Sequence, residues 1–170
     1  NSPAFSADGK TLYFMSAKSG SLQLYSMPLA GGEPKRLTDT VIDVDGYKLS
    51  PDGGSVALAF AVFPDGKGDL HCTKKKRDEA DALKTTGKVF DRMFIRHWDT
   101  WNDGRLNRVF AAKLGGEGMI KTATLLSGDI NGDIPSKPFG DLSDFAWSAD
   151  GKQVAMSVRQ ANREEPWSTN

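Results

Sequence analysis

One ten-residue pattern is written three times into this chain without a gap. The copies are Phe5-Ser-Ala-Asp-Gly-Lys-Thr-Leu-Tyr-Phe14, Leu49-Ser-Pro-Asp-Gly-Gly-Ser-Val-Ala-Leu58 and Trp147-Ser-Ala-Asp-Gly-Lys-Gln-Val-Ala-Met156. Each reads apolar, Ser, small, Asp, Gly, and then apolar residues at alternate positions. A strand end, a tight turn and a second strand satisfy that order. Glycine accepts a positive φ without steric cost, and an Asp carboxylate accepts hydrogen bonds from nearby backbone N–H groups. Beyond the turn, Leu12 and Phe14, Val56 and Leu58, and Val154 and Met156 fall on one strand face. Asp-Gly occurs six times in the chain, but three matches over ten positions make chance recurrence improbable.

The repeat runs on past the hairpin. A polar turn at residues 17–21 precedes an expected third strand over 22–29, and Gly31 and Gly32 lead into a short fourth strand over 34–38. Four short antiparallel strands in about 40 residues match one β-propeller blade. A β-sandwich, with its own evenly spaced short strands, is the competing architecture. Ser6 and Ser50 lie 44 positions apart (50 − 6), whereas Ser50 and Ser148 lie 98 apart (148 − 50). The longer interval holds two blades or one blade with an insertion. The insertion is favoured, because residues 71–88 have no strand pattern while 105–114 and 122–126 supply third and fourth strands. The expected fold is all-β: a partial β-propeller of four-stranded antiparallel blades with one short helical insertion. Its expected parts are a blade near 3–38, a blade near 44–128 with the insertion near 64–100, and the start of a further blade near 142–170. Residues 56–63 show no polar alternation, as in a strand covered on both faces. An open arc of such blades leaves apolar end faces and strand edges, so self-association is expected.

Lys plus Arg total 22 and Asp plus Glu total 22. That balance argues against a nucleic-acid or anionic-membrane surface. The apolar run 56–63 is far too short to span a bilayer. Cys72 is the single cysteine, which excludes an internal disulfide framework. The basic run from Lys74 to Arg77 is followed at once by Asp78, Glu79 and Asp81, as on a solvated helix face. A helix is expected over 74–84, with Lys74/Asp78, Lys75/Glu79 and Arg77/Asp81 as i,i+4 pairs and Gly87 as its stop. The start, Asn-Ser-Pro, lacks an initiator Met and any signal-peptide pattern, so the sequence is expected to begin inside a longer protein.

Catalytic signatures are missing. The nearest string to Gly-x-Ser-x-Gly is Gly53-Gly-Ser-Val-Ala57, which lacks the last Gly and sits in a repeat hairpin. His71 and His97 are the two histidines, and His71 beside Cys72 falls short of the three or four ligands a zinc site needs. Asp129-Ile-Asn-Gly-Asp133 echoes the start of a calcium loop but has Ile134 and Gly140 where Gly and Glu belong. An Asx-rich turn is the preferred reading. No catalytic residue, cofactor or metal ligand is assigned.

The Ser-Ala/Pro-Asp-Gly hairpins resemble the TolB-type propeller repeat, which also forms the N-terminal propeller of prolyl oligopeptidase family serine peptidases. The stretch from Phe90 to Gly104 containing His97-Trp-Asp-Thr-Trp101, then Val109-Phe-Ala-Ala-Lys113, resembles the acylaminoacyl-peptidase and dipeptidyl-aminopeptidase branch of bacteria. So do Gly128-Asp-Ile-Asn-Gly-Asp-Ile-Pro-Ser-Lys-Pro-Phe139 and Arg163-Glu-Glu-Pro-Trp-Ser-Thr-Asn170. The resemblance implies a propeller that filters short peptides for a C-terminal α/β-hydrolase domain carrying the Ser, Asp and His. That domain is absent from this chain, and none of its triad residues has a counterpart here. The expected role is the non-catalytic, gating part of a serine exopeptidase, acylaminoacyl or dipeptidyl. Its expected partners are the hydrolase domain, short peptide substrates and other copies of itself, with no nucleic acid and no membrane. Candidate substrate contacts are Glu164 and Glu165, since a related branch holds a peptide ammonium with a Glu-Glu pair. An exposed loop pair before Pro166 is the alternative. Arg96, His97 and Trp98 are further candidates if residues 89–101 form a rim segment rather than a strand packed on a neighbouring blade. A TolB-like protein-binding propeller and a ligand-binding propeller enzyme remain open as other readings. The compartment, bacterial cytoplasm or periplasm, is open too.

Overall fold

The computed structural model describes residues 1–87, 89–90, 96–97, 100–115, 118–137 and 139–160, with backbone alone at 97 and 100. Strands β1 (Ala4–Phe5), β2 (Thr11–Ser16), β3 (Gln23–Pro28) and β4 (Lys35–Arg36) form an antiparallel sheet in chain order. Next come β5 (Gly46–Leu49) and β6 (Ser55–Val62), then a connection carrying helix α1 (Leu70–Asp81) and a ribbon of β7 (Arg96–His97) and β8 (Thr100–Trp101). The chain re-enters the second sheet as β9 (Leu106–Lys113), which pairs with β6 from Ser55↔Lys113 to Val62↔Leu106, and leaves through β10 (Thr124–Leu125). The second sheet is therefore also antiparallel, with order β10-β9-β6-β5. Strands β11 (Phe145–Trp147) and β12 (Val154–Met156) open a third.

The repeated pattern forms the same hydrogen-bonded turn each time. In the second copy Gly53 takes φ 70 and its N–H donates to the Ser50 carbonyl at 2.9 Å. The Ser50 hydroxyl donates to Asp52 Oδ1 at 2.5 Å and accepts from the Ser55 N–H at 2.9 Å. Asp52 Oδ1 also accepts from the Gly54 N–H at 3.0 Å. Ser6 with Asp8 and Ser148 with Asp150 repeat these bonds, at Oγ–Oδ1 distances of 2.6 Å in both. The pattern keeps Ser because its hydroxyl caps the returning strand while orienting the Asp, a role that glycine and Asp alone leave unfilled.

Strand β6 is the partition of the molecule. Val56, Leu58, Phe60 and Val62 face the first sheet, in a cluster with Met15, Leu24, Val44 and Phe110. Phe60 meets Phe110 edge to face, with centroids 5.2 Å apart. Ala57 and Ala59 face the other way, toward Val109, Ile134 and Phe145. Large side chains on one face and methyls on the other let the third sheet approach closely. Each large side chain buried in these seams contributes about 1.5–3 kcal/mol. The second seam is also tied by polar bonds: Lys48 Nζ donates to the Phe145 carbonyl at 2.7 Å, and Trp147 Nε1 to the Lys48 carbonyl at 3.0 Å. A Cβ at Gly46 would lie 2.5 Å from Leu142 Cδ2, so a side chain there requires Leu142 to shift.

The linker between the first two sheets is pinned by Gln23, which is fully buried. Its Oε1 accepts from Thr38 Oγ1 (2.7 Å), Thr40 N–H (3.1 Å) and Thr40 Oγ1 (3.2 Å). Its Nε2 donates to Ser21 Oγ and to the carbonyls of Thr40 and Ile42 at 3.0–3.3 Å.

Helix α1 begins four residues before the expected start at Lys74. Asp69 caps it, accepting from the His71 N–H at 2.9 Å, and Leu70 and Thr73 anchor its buried side. It ends at Asp81, and Gly87 lies beyond it in exposed, irregular chain, so glycine is not the stop. The Lys74–Asp78 pair forms at 2.5 Å and Lys75–Glu79 at 3.9 Å. Both are exposed and contribute little to stability.

Candidate functional site

Within the second sheet, the connection from β6 to β9 and the linker leaving β10 emerge from the end opposite the Ser50 hairpin. Strand order alone dictates this, because β5 enters and β6 leaves at that end. Charged side chains scattered along the sequence converge there. Asp133 accepts from the Asn107 N–H at 2.7 Å and pairs with Lys137 at 3.1 Å. Lys137 Nζ also donates to the Arg105 carbonyl at 2.7 Å, and Arg105 Nε reaches Asp103 at 2.6 Å. Asn107 completes the clip, its Nδ2 donating to the Pro135 carbonyl at 2.9 Å.

Asp45 stands where the chain enters β5, its N–H donating to the Ala59 carbonyl at 2.9 Å. Withdrawal from water pushes its carboxyl above the usual carboxylate range. A hydrogen bond from the Ala61 backbone and the Arg105 and Lys137 cations pull the other way. This network joins three separate connections of the chain, so no local sequence signal could have found it.

Of the residues singled out from sequence, Arg96 is described in full. It is exposed on β7, with its guanidinium 5.4 Å from the centroid of the Trp101 ring. Phe90 stacks on the same Trp101 ring, with centroids 5.4 Å apart and planes at 23°. His97 pairs with Thr100 through the backbone of the ribbon, and its side chain lies outside the described residues, as do Trp98, Glu164 and Glu165. The structure therefore brings Arg96 to an aromatic shelf and leaves the other candidates unplaced.

Two motifs resolve into structural roles. Ser55, the serine of the nearest Gly-x-Ser string, is buried, with Lys113 Nζ donating to its hydroxyl at 3.1 Å. Asp133 of the calcium-like string is held by Asn107 and Lys137. Among the described residues, no group of three or more His, Cys, Asp or Glu side chains could hold a metal ion.

Meandering four-stranded sheets, packed face to face and built from one recurrent hairpin, define a partial β-propeller. Comparison with known proteins places that propeller in a lineage. The chain is 31% identical over 159 residues to dipeptidyl-peptidase 5 of Porphyromonas gingivalis, covering 93% of this chain and 22% of that protein. It is 28% identical over 160 residues to dipeptidyl-peptidase 5 of Porphyromonas endodontalis, again 22% of that protein. A third relative, dipeptidyl-peptidase 5 of Aspergillus oryzae, is 35% identical over 150 residues, 77% of this chain and 21% of the relative. The chain is thus a relative of one segment of these peptidases and spans about a fifth of their length. Among solved structures, TolB of Agrobacterium tumefaciens matches with a TM-score of 0.45 and 16% identity, covering 95% of this chain and 43% of that one. TolB of Acinetobacter baumannii matches with a TM-score of 0.41 and 19% identity, covering 93% and 33%. No protein-family model matches the chain.

Proposed function

We propose that this chain is the non-catalytic propeller part of a serine exopeptidase of the prolyl oligopeptidase family. In this reading it gates access of short peptides to a C-terminal α/β-hydrolase domain, and the preference is dipeptidyl rather than acylaminoacyl. The observation that carries the reading is the match of 93% of the chain to a segment of a protein named dipeptidyl-peptidase 5. A rigid arc of blades supports it physically, since such a wall excludes large substrates by shape and takes no part in bond breaking. The charged end of the second sheet, with the Arg96–Trp101 shelf, is the face that meets the peptide.

The test uses the full-length peptidase. Replacing residues 69–86 by a short Gly/Ser linker removes α1, which in this reading narrows the entrance. Turnover of a dipeptidyl chromogenic substrate reports that the enzyme still folds. The rate on long peptides relative to that substrate is expected to rise severalfold; an unchanged ratio rejects gating. The isolated 170-residue chain is expected to hydrolyse neither peptides nor esters, and turnover blocked by a serine-directed inhibitor would refute this. Changing Glu164 and Glu165 to Gln is expected to raise KM for free-amine peptides and spare blocked ones. Equal effects on both would remove the pair from the substrate site.

A further inference from the structure

A cavity of about 130 Å³ opens between the turn after β6, the start of β9 and the linker after β10. Its apolar walls include Phe63, Leu106 and Leu125, and its polar lining includes Lys67, Arg108 and Asp129. We propose that it is a binding site for a small carboxylate on a short apolar stem. This inference does not depend on the peptidase reading.

Arg108 is the centre of the argument. It lies on β9 opposite Phe60, only 4% exposed, and its Nη1 donates to the Gly132 carbonyl. A guanidinium has five N–H donors in a planar fork. Holding it against apolar walls is unfavourable, and burial accordingly lowers its pKa against the opposing pull of Asp133 and Asp129. Arg108 lines the cavity, and a guanidinium is the side chain best suited to bind a carboxylate there.

Lys67 supplies the second cation and an independent observation. It is held in the left-handed region, φ 48 and ψ 37, between two glycines that adopt such conformations freely. Left-handed backbone is unfavourable for a side chain such as lysine. The strained lysine nevertheless stands in the lining of the cavity. Two cations against the single carboxylate of Asp129 leave the lining net positive. The volume is that of about four waters, which suits an acid of two to four carbons.

The test is a titration of the full chain with sodium propionate, followed by two-dimensional NMR at constant ionic strength. Saturable shifts of the Gly68, Leu125 and Gly128 amides are expected at millimolar concentrations, with propionamide giving none. Lys67→Gly relieves the left-handed strain, so the variant is expected to be at least as thermostable as the parent, yet to bind about tenfold more weakly. L-alanine in place of propionate distinguishes sources: tighter binding marks a free amino acid as the natural guest, and equal binding a simple acid. Absence of a saturable shift, equal response to propionamide, or undiminished binding by Lys67→Gly would each overturn the proposal.

Discussion

Gln23→Leu tests whether the seam between the first two sheets depends on one amide. Leucine matches the volume of glutamine but provides no hydrogen bond. In the structure the change strips the Thr40 N–H of its acceptor at 3.1 Å and the Thr40 carbonyl of its donor at 3.2 Å. Ile42 keeps a donor in the Thr40 hydroxyl at 2.8 Å, and the Thr38 hydroxyl is free to rotate. Two buried backbone groups therefore lose their partners, at about 1–3 kcal/mol each. The added apolar side chain recovers part of that, leaving a net loss of about 3 kcal/mol, a large share of a typical domain's 5–15 kcal/mol. Chemical denaturation of parent and variant, compared at equal slope, reads the difference. Thr40→Val removes the other donor to the Ile42 carbonyl, so the double variant, which alone strips that carbonyl of both donors, should lose more than the sum of the singles by about 0.5 kcal/mol or more. A loss under about 1 kcal/mol, or strict additivity, refutes the view that Gln23 organises the linker.

Asp8, Asp52 and Asp150 are each held below the usual carboxylate range, first by their Ser hydroxyls and then by backbone N–H groups. Depressed folded-state values mean stability fully present above the unfolded pKa and lost as pH falls through the folded ones. The contribution of these three turns to thermal stability should be constant from neutrality to about pH 5 and decline below about pH 4, with buried Asp45 acting in the opposite sense, and Asp52→Asn should shrink the decline. A decline of the same size in Asp52→Asn would remove that turn from the explanation. The two faces of β6 should respond oppositely to size. Leu58→Ala should cost about 2–5 kcal/mol by leaving a cavity, and Ala59→Leu about 1–3 kcal/mol by forcing the third sheet away. Denaturation midpoints check both, and tolerance of Leu at 59 would contradict the close seam. Phe5 is 64% exposed, and Trp147, Val154 and Met156 line an open trough on the third sheet. Light scattering of the isolated chain should therefore show concentration-dependent association; a compact monomer across the dilution series would overturn that expectation.

The hairpins were legible because their determinants are local. Ser, Asp and Gly sit within four residues, so one φ near 70 and a handful of short hydrogen bonds form wherever the string occurs. The apolar run in β6 likewise announced a strand buried on both faces, and it is. The sequence did not say which face would meet which neighbour. Ala57 and Ala59 acquire meaning only from Phe145, some 90 residues away, whose ring occupies the space they leave. The helix was legible as a charge pattern, yet its start was misplaced because capping by Asp69 outweighed the more conspicuous lysine run. The charged end of the second sheet and the Arg108 cavity were invisible for the same reason as the Ala seam. Arg105, Asp133 and Lys137, or Lys67, Arg108 and Asp129, are brought together by strand order, and each alone reads as ordinary surface charge. Local chemistry thus determined the turns and the strand that must be buried. The pairing of sheets, which spends volume and charge across long sequence separations, was decided only by the tertiary fold.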